Sequence, residues 1–309
     1  MAFTPLELAI VIPTYGRERV LLDTVRALLD LAHPFTELIL VDQTTEHGRE
    51  TVAAIEFWQQ KGRLRWLRLP SPCIPHAMNS GLEAANADIV LFLDDDIVPD
   101  PVLLSAHAGA HSCNSDAWAV VGQVLQPGEE SLDVDYESRA AGLVADLDFP
   151  FYSNRGRWVE NVMAGNLSVK RELALSIGGF DENFIPPVAY RFETEFARRI
   201  VRAGGKIWFE PTASIQHLRA CSGGTRTHGS HLTSPSPLHG VGDYYYAFRC
   251  GSRCEALRYS LRRMFREVRT KFHLKHPWYI PIKLIGEVRA CLWASRLARQ
   301  EQKLIERRS

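Results

Sequence analysis

Apolar and polar positions change their period repeatedly along the first hundred residues. Residues 8–13 form a continuous apolar run of strand length. Over residues 18–31, Val20, Leu21, Val25, Leu28 and Leu29 recur at helical spacing. Residues 38–41 read as a second strand, closed by Asp42. Residues 49–60 then read as helix, 64–69 as a short strand, 75–87 as helix and 89–93 as strand. This alternation predicts an α/β fold, a mainly parallel sheet with helices on both faces. Pro99 suits the first turn of a following helix that runs to about His111, and residues 117–124 read as another strand.

Patterning weakens over residues 126–160, where Pro, Gly, acids and aromatics suggest an excursion over one face. It returns as a short helix at 170–177, stopped by Gly178-Gly179, and a stronger one at 191–203, stopped by Gly204-Gly205. Residues 206–209 read as a short strand. Residues 222–242 are rich in Ser, Gly, Thr, Pro and His and read as loop. Beyond Asp243 the pattern is helical, with one break at His276-Pro277.

The strand at 89–93 ends in Asp94-Asp95-Asp96. Side chains alternate along an extended chain, so Asp94 and Asp96 should point one way and Asp95 the other. Two carboxylates at the rim of a sheet suit a hard divalent cation such as Mn²⁺ or Mg²⁺, which could in turn hold a diphosphate. A solvated turn or a helix cap would not need three acids.

Composition is that of a globular protein, with 46% hydrophobic and 23% charged residues in 309. The formal net charge is zero but unevenly spread. Residues 249–309 hold 16 basic and 5 acidic residues, leaving 20 and 31 for the rest, or about +11 against about −11. An acidic body argues against a nucleic-acid partner. Six scattered cysteines with no CxxC pair read as free thiols. No signal peptide and no run of ~18 apolar residues is apparent, so a cytoplasmic location is expected.

Several segments, taken in order, resemble the family 2 glycosyltransferases. These are Val11-Ile12-Pro13-Thr14-Tyr15, Val41-Asp42, Asn79-Ser80-Gly81-Leu82, Asp94-Asp95-Asp96, Gly165-Asn166-Leu167-Ser168 and Gly178-Gly179-Phe180-Asp181. The helix at 191–199, His217 and Gly223-Gly224-Thr225-Arg226 complete the set. The resemblance implies a GT-A, Rossmann-like fold over residues 1–240, with a nucleotide-sugar half to about 125 and an acceptor half beyond. A basic helical extension follows over 241–309. It also implies metal-dependent, inverting transfer from a nucleotide-diphosphate sugar to a glycan or lipid-linked acceptor, as in polysaccharide or glycolipid synthesis.

By the same resemblance Pro13, Thr14, Tyr15 and Arg17 border the nucleobase, with Tyr15 placed to stack on it. Asp42 and Asn79 face the donor, as do Asp94 and Asp95, and Arg226 reaches the diphosphate. Asp94, Asp96 and His217 hold the metal, and Gly165-Asn166 line the acceptor side. The base position falls on Glu193, with Glu195 as the alternative. The sequence departs from the family where Met78 replaces an Arg and Phe192 an acid. These departures admit a degenerate protein that binds sugar nucleotide without turnover. A nucleotidyltransferase ranks lower, because residues 13–17 lack a Gly-rich basic loop.

In the tail, Arg258, Arg262, Arg263, Arg266 and Arg269 interleave with Leu257, Leu261, Met264, Phe265 and Val268, and Trp278, Tyr279, Ile280, Ile282, Leu284 and Ile285 follow. Such a surface could lie on anionic lipid at the inner face of the cell membrane or pack on the acidic body.

Overall fold

The structure, a computed structural model, describes residues 6–137, 142–186, 190–225 and 230–306. A nine-stranded sheet forms its centre. The strands are β1 Leu8–Thr14, β2 Glu37–Asp42, β3 Arg65–Arg68, β4 Ile89–Leu93, β5 Ile97–Pro99, β6 Ala117–Leu125, β7 Arg157–Val159, β8 Asn166–Lys170 and β9 Lys206–His217. They lie in the order β3-β2-β1-β4-β8-β6-β9-β5, with β7 paired to β9. From β3 to β4 the pairing is parallel, as the alternating elements require. From β4 onward antiparallel pairs enter through β8, β5 and β7.

Alternation along the strands makes two cores. Ala9, Val11, Val90 and Phe92 face one side, and Leu8, Ile10, Ile89 and Leu91 face the other. Helices α1 Arg19–Leu29, α2 Arg49–Gln60 and α4 Leu103–Cys113 cover the second side. Helices α3 Ile74–Ala84, α5 Arg171–Ser176, α6 Phe192–Arg202 and α7 Val241–Cys250 cover the first. Three successive tyrosines of α7, Tyr244, Tyr245 and Tyr246, are fully buried there. The extension, α7 with α8 Arg253–Val268, α9 Lys271–Lys275 and α10 Tyr279–Leu297, therefore shares the core of the sheet.

Three expectations change. Pro99 closes the short strand β5 instead of opening a helix, which begins only at Leu103. The strand expected over 206–209 continues to His217, because its second half pairs with both β6 and β5. Strand β8, not anticipated, inserts between β4 and β6. Its polar residues Asn166 and Ser168 are fully buried and meet histidines of α4. His107 bonds Ser168 Oγ and Asn166 Oδ1, each at 2.8 Å, and His111 Nε2 bonds Ser168 Oγ at 2.9 Å.

Burial lowers both imidazoles, His107 to about 4 and His111 to about 3. Unfolding restores their ordinary proton affinity, so below pH 6.5 the unfolded chain binds more protons. Their contribution is therefore complete above that pH and is lost as pH falls toward about 4, by about 1.4 kcal/mol per histidine per pH unit. Urea denaturation across this window should show falling stability, and His111→Gln should flatten the slope. An unchanged slope would show that His111 already titrates normally in the folded protein.

Candidate active site

Strand β4 delivers its three acids to the carboxyl edge of the sheet, where β1 and β2 also end. There the carboxylates part. Asp95 turns into the body, accepting a hydrogen bond from Thr14 Oγ1 at 2.6 Å and from Arg17 Nε at 3.2 Å. Burial pushes its pKa up to about 6, against the opposing pull of Thr14 and Arg17. Asp94 and Asp96 turn together toward His217. Its Nε2 lies 3.7 Å from Asp94 Oδ2 and 3.1 Å from Asp96 Oδ1.

The topology explains why these three meet. Ile97 pairs with His217 across the antiparallel β5–β9 contact, and Leu218 N donates to the Asp96 carbonyl at 2.8 Å. The parallel β6–β9 register sets Leu125 beside Gln216, so Gln126 follows beside His217. Gln126 Oε1 lies 3.0 Å from His217 Nδ1, which leaves Nε2 as the nitrogen facing the carboxylates. Ligand atoms of Asp94, Asp96 and His217 all lie within 4.8 Å of one another. Two carboxylates and an oriented imidazole are a donor set for a divalent metal, and the imidazole suits Mn²⁺ better than Mg²⁺. Burial works against the Asp96 charge. Bonds from His217 and the Ala220 amide, with Arg17, nevertheless hold its pKa below the ordinary value.

Arg17 is an internal clamp. Its guanidinium reaches Asp95, Asp96 at 3.3 Å, and the carbonyls of Ala220 and Ser222. It thereby fastens the 218–224 loop over the end of β1. Gly224 N donates to the Tyr15 carbonyl at 2.7 Å. Gly223, at φ +77, lies so close that a Cβ there would collide with Gly16 O.

Other expected site residues divide clearly. Pro13 and Tyr15 are half-buried at the end of β1. Asp42 is at the end of β2, but its oxygens already bond Thr44 N, Trp66 Nε1 and His47 Nε2. Asn79, expected to face the donor, is turned away: its amide bonds both backbone groups of Phe180 and the Glu182 carboxylate. Met78 is buried in the core, so this position does not open on the site. Asn166, expected on the acceptor side, is buried with its amide donating to Gln123 O and Ala213 O. Gly165 does reach the site, since a Cβ there would collide with Asp94 Oδ2. Arg226 lies outside the described residues.

The two candidate bases separate as well. Glu195 is buried and held by Arg199 at 2.7 and 2.8 Å and by Gln302 at 3.0 Å, which is a structural role. Glu193 lies half-buried in the first turn of α6. Burial pushes its pKa up to about 7. Its own backbone amide and Arg191 oppose the rise, and Asp94 and Asp243 add to it. Arg191, just before the helix, adopts φ +72, a left-handed conformation that costs a non-glycine residue on the order of 1–3 kcal/mol. Asp243 of α7 holds it there, accepting from Arg191 Nε at 3.0 Å. Sequence reasoning found neither Asp243 nor Gln126, since both act through pairing across distant elements.

A sequence model described as Glycosyl transferase family 2 matches residues 9–166, just over half of the chain. A glucosyl-dolichyl phosphate glucuronosyltransferase of Haloferax volcanii is 24% identical over 180 residues, covering 58% of this chain and 57% of that protein. The probable glycosyltransferase YdaM of Bacillus subtilis is 23% identical over 220 residues, covering 67% of this chain and 49% of that protein. The chain spans about half the length of these curated relatives. Among solved structures, GalNAc-T7 with UDP, GalNAc and Mn²⁺ superposes with TM-score 0.59 at 15% identity, over 84% of this chain and 55% of that one. S. aureus TarS 1-349 gives TM-score 0.59 at 14% identity, over 94% and 83%. Both share the fold.

The contact between Gly165 and Asp94 yields a direct test. Gly165→Ala should displace the Asp94 carboxylate while leaving the fold intact, because the colliding atom is the end of a side chain. Calorimetric titration with Mn²⁺ should show affinity weakened about 10- to 100-fold, the range for disturbing groups that orient metal ligands. Unaltered affinity would remove Asp94 from the metal site.

Proposed function

The chain belongs to glycosyl transferase family 2, and we propose that it moves a sugar from a nucleotide-diphosphate sugar to an acceptor hydroxyl, with inversion at the sugar carbon. The acceptor is a growing cell-surface glycan or a lipid-linked one at the inner face of the cell membrane. The observation that carries this reading is the convergence of Asp94, Asp96 and His217 at the carboxyl edge of the sheet. The name of the Haloferax volcanii relative supports a lipid-linked acceptor.

Asp94, Asp96 and His217 would hold Mn²⁺ or Mg²⁺. When bound, the ion would offset the charge that develops on the departing diphosphate. The nucleoside would lie along the ends of β1 and β2, where the half-exposed Tyr15 ring offers a stacking face. Glu193 would take the proton of the attacking hydroxyl. Its raised proton affinity suits a base that must accept a proton near neutrality. Functionally the chain divides into the transferase body, residues 1–240, and the helical extension, residues 241–309.

Thermal unfolding with UDP, GDP, dTDP and CDP, each with and without Mn²⁺, tests the site. A ligand at roughly 100 times its Kd adds about 2.7 kcal/mol to stability. One nucleotide should raise the Tm only with metal present, and Asp96→Ala should abolish the rise. A rise independent of both metal and Asp96 would refute the metal site.

Glu193→Gln should leave that rise intact and lower turnover by about 10²- to 10⁴-fold. Because the base works deprotonated, kcat/KM should climb with pH through a limb at about 7. Mn²⁺ offsets the Asp94 charge that helps to raise Glu193, so saturating metal should move the limb to lower pH. A flat profile through this range, or an active Glu193→Gln, would assign the proton to another group.

A further inference from the structure

Helices α8 and α10 bury charged side chains and leave large apolar ones exposed. On α8 the buried positions are Ala256, Tyr259, Ser260 and Arg263, while Leu257, Leu261 and Phe265, four residues apart, face solvent. On α10 the buried positions are Lys283, Gly286, Glu287, Ala290 and Ala294, while Ile285, Val288 and Leu292 are exposed. Between them Leu274 and Trp278 are 76% and 62% exposed. A helix resting on a body in water shows the opposite arrangement. The inward charges are paired: Arg263 with Asp243 at 2.8 Å and Glu287 at 3.2 Å, and Lys283 with Glu287 at 2.9 Å and Glu267 at 3.3 Å. Apolar side chains are thus left outside across three consecutive helices, more than scattered exposure explains.

Charge identifies the phase that would cover them. Arg258, Arg262 and Arg266 form a stripe beside Leu257, Leu261 and Phe265, one position on around α8. Arg269, Lys271 and Lys275 continue it. Among the described residues between 253 and 299, the exposed acid is Glu255. Arg262 and Arg266 also line a cavity of about 390 Å³ with Asp135 and Glu137, so part of their charge is met within the protein. Among the described residues no helix is long and apolar enough to cross a membrane.

We propose that the outer face of α8, α9 and α10 lies on an anionic bilayer surface. Phe265, Leu274, Trp278 and Leu292 enter the headgroup–acyl boundary, and the neighbouring arginines and lysines meet lipid phosphates. A second copy of the chain fits less well, because mating two such faces would bring two basic stripes together. The proposal deepens the reading of a lipid-linked acceptor, which such a surface would present, but lipid binding itself does not depend on transfer.

The test is sedimentation of the full chain with phosphatidylcholine vesicles, with and without phosphatidylglycerol. The protein should pellet only with the anionic vesicles, and less as salt rises. Phe265→Ser/Leu274→Ser should weaken partitioning by at least about tenfold, since two interfacial apolar side chains are lost. Thermal stability and the nucleotide-dependent Tm rise should be unchanged. Equal pelleting with neutral vesicles, or undiminished pelleting of the double variant, would overturn the proposal. So would a failure to pellet, and if it came with a concentration-dependent dimer that the double variant dissolves, the face would be a self-association surface. Failure of the transferase reading would appear instead as loss of the nucleotide response with vesicle binding intact.

Discussion

Three consecutive carboxylates at the end of a buried strand repel one another, and the site is organised around separating them. The chain bends at Asp95 and Asp96 between β4 and β5, and Asp95 goes one way while Asp94 and Asp96 go the other. Each direction then requires a partner. Thr14 and Arg17 meet Asp95 on the inner side, and His217, Arg17 and the Ala220 amide meet Asp96. An uncompensated charge at such depth costs on the order of 3–5 kcal/mol, so Arg17 matters to the site as much as the acids do. Because Arg17 also holds the carbonyls of Ala220 and Ser222, neutralising the acids and positioning the 218–224 loop are one event. The short β5–β9 contact then carries His217 to the carboxylates.

Much of this was legible in the sequence, and the failures have a common cause. Strands β1, β2 and β4 and helix α2 follow from period alone, since their apolar residues face cores on fixed sides. The opposed directions of Asp94 and Asp95 were expected from the pleat and are seen, although the chain bends there instead of staying extended. Asn79, Asn166 and Asp42 were expected to face ligand from the family resemblance, Asp42 also because it ends a strand. The structure supplies those partners internally: Phe180 for Asn79, Gln123 and Ala213 for Asn166, and His47 and Trp66 for Asp42. A satisfied buried polar group and a ligand contact look alike in one sequence. Strand β8 was missed for a related reason: Asn166 and Ser168 interrupt its apolar run, and His107 and His111, which partner them, lie far back along the chain.

The helical extension shows the same principle on a larger scale. Its basic residues imply a solvated surface when read singly. Arg263 and Lys283 are instead buried among Asp243, Glu267 and Glu287, and Tyr244 donates to Glu287 at 2.7 Å. These pairs lead from α10 through α8 to Asp243 of α7, and from Asp243 to Arg191 at the start of α6.

That route gives the buried charges of these helices a physical consequence. Helices α8 and α10 dock on the body partly through buried charges, Arg263, Lys283 and Glu287, beside the apolar Ala256, Tyr259, Ala290 and Ala294. Apolar contacts are non-directional and tolerate sliding, whereas buried ion pairs hold only at defined distances and angles. Arg191 sits in a strained left-handed conformation that persists only where its surroundings fix it, and Asp243 is the group that does so. Asp243 is in turn fixed by Arg263 and by Tyr259 at 2.9 Å, both on α8. The proposed base, Glu193, lies two residues beyond Arg191. Its placement therefore depends on α7 and α8, whose directional contacts from Asp243 to Arg263 and Tyr259 hold the entry to α6.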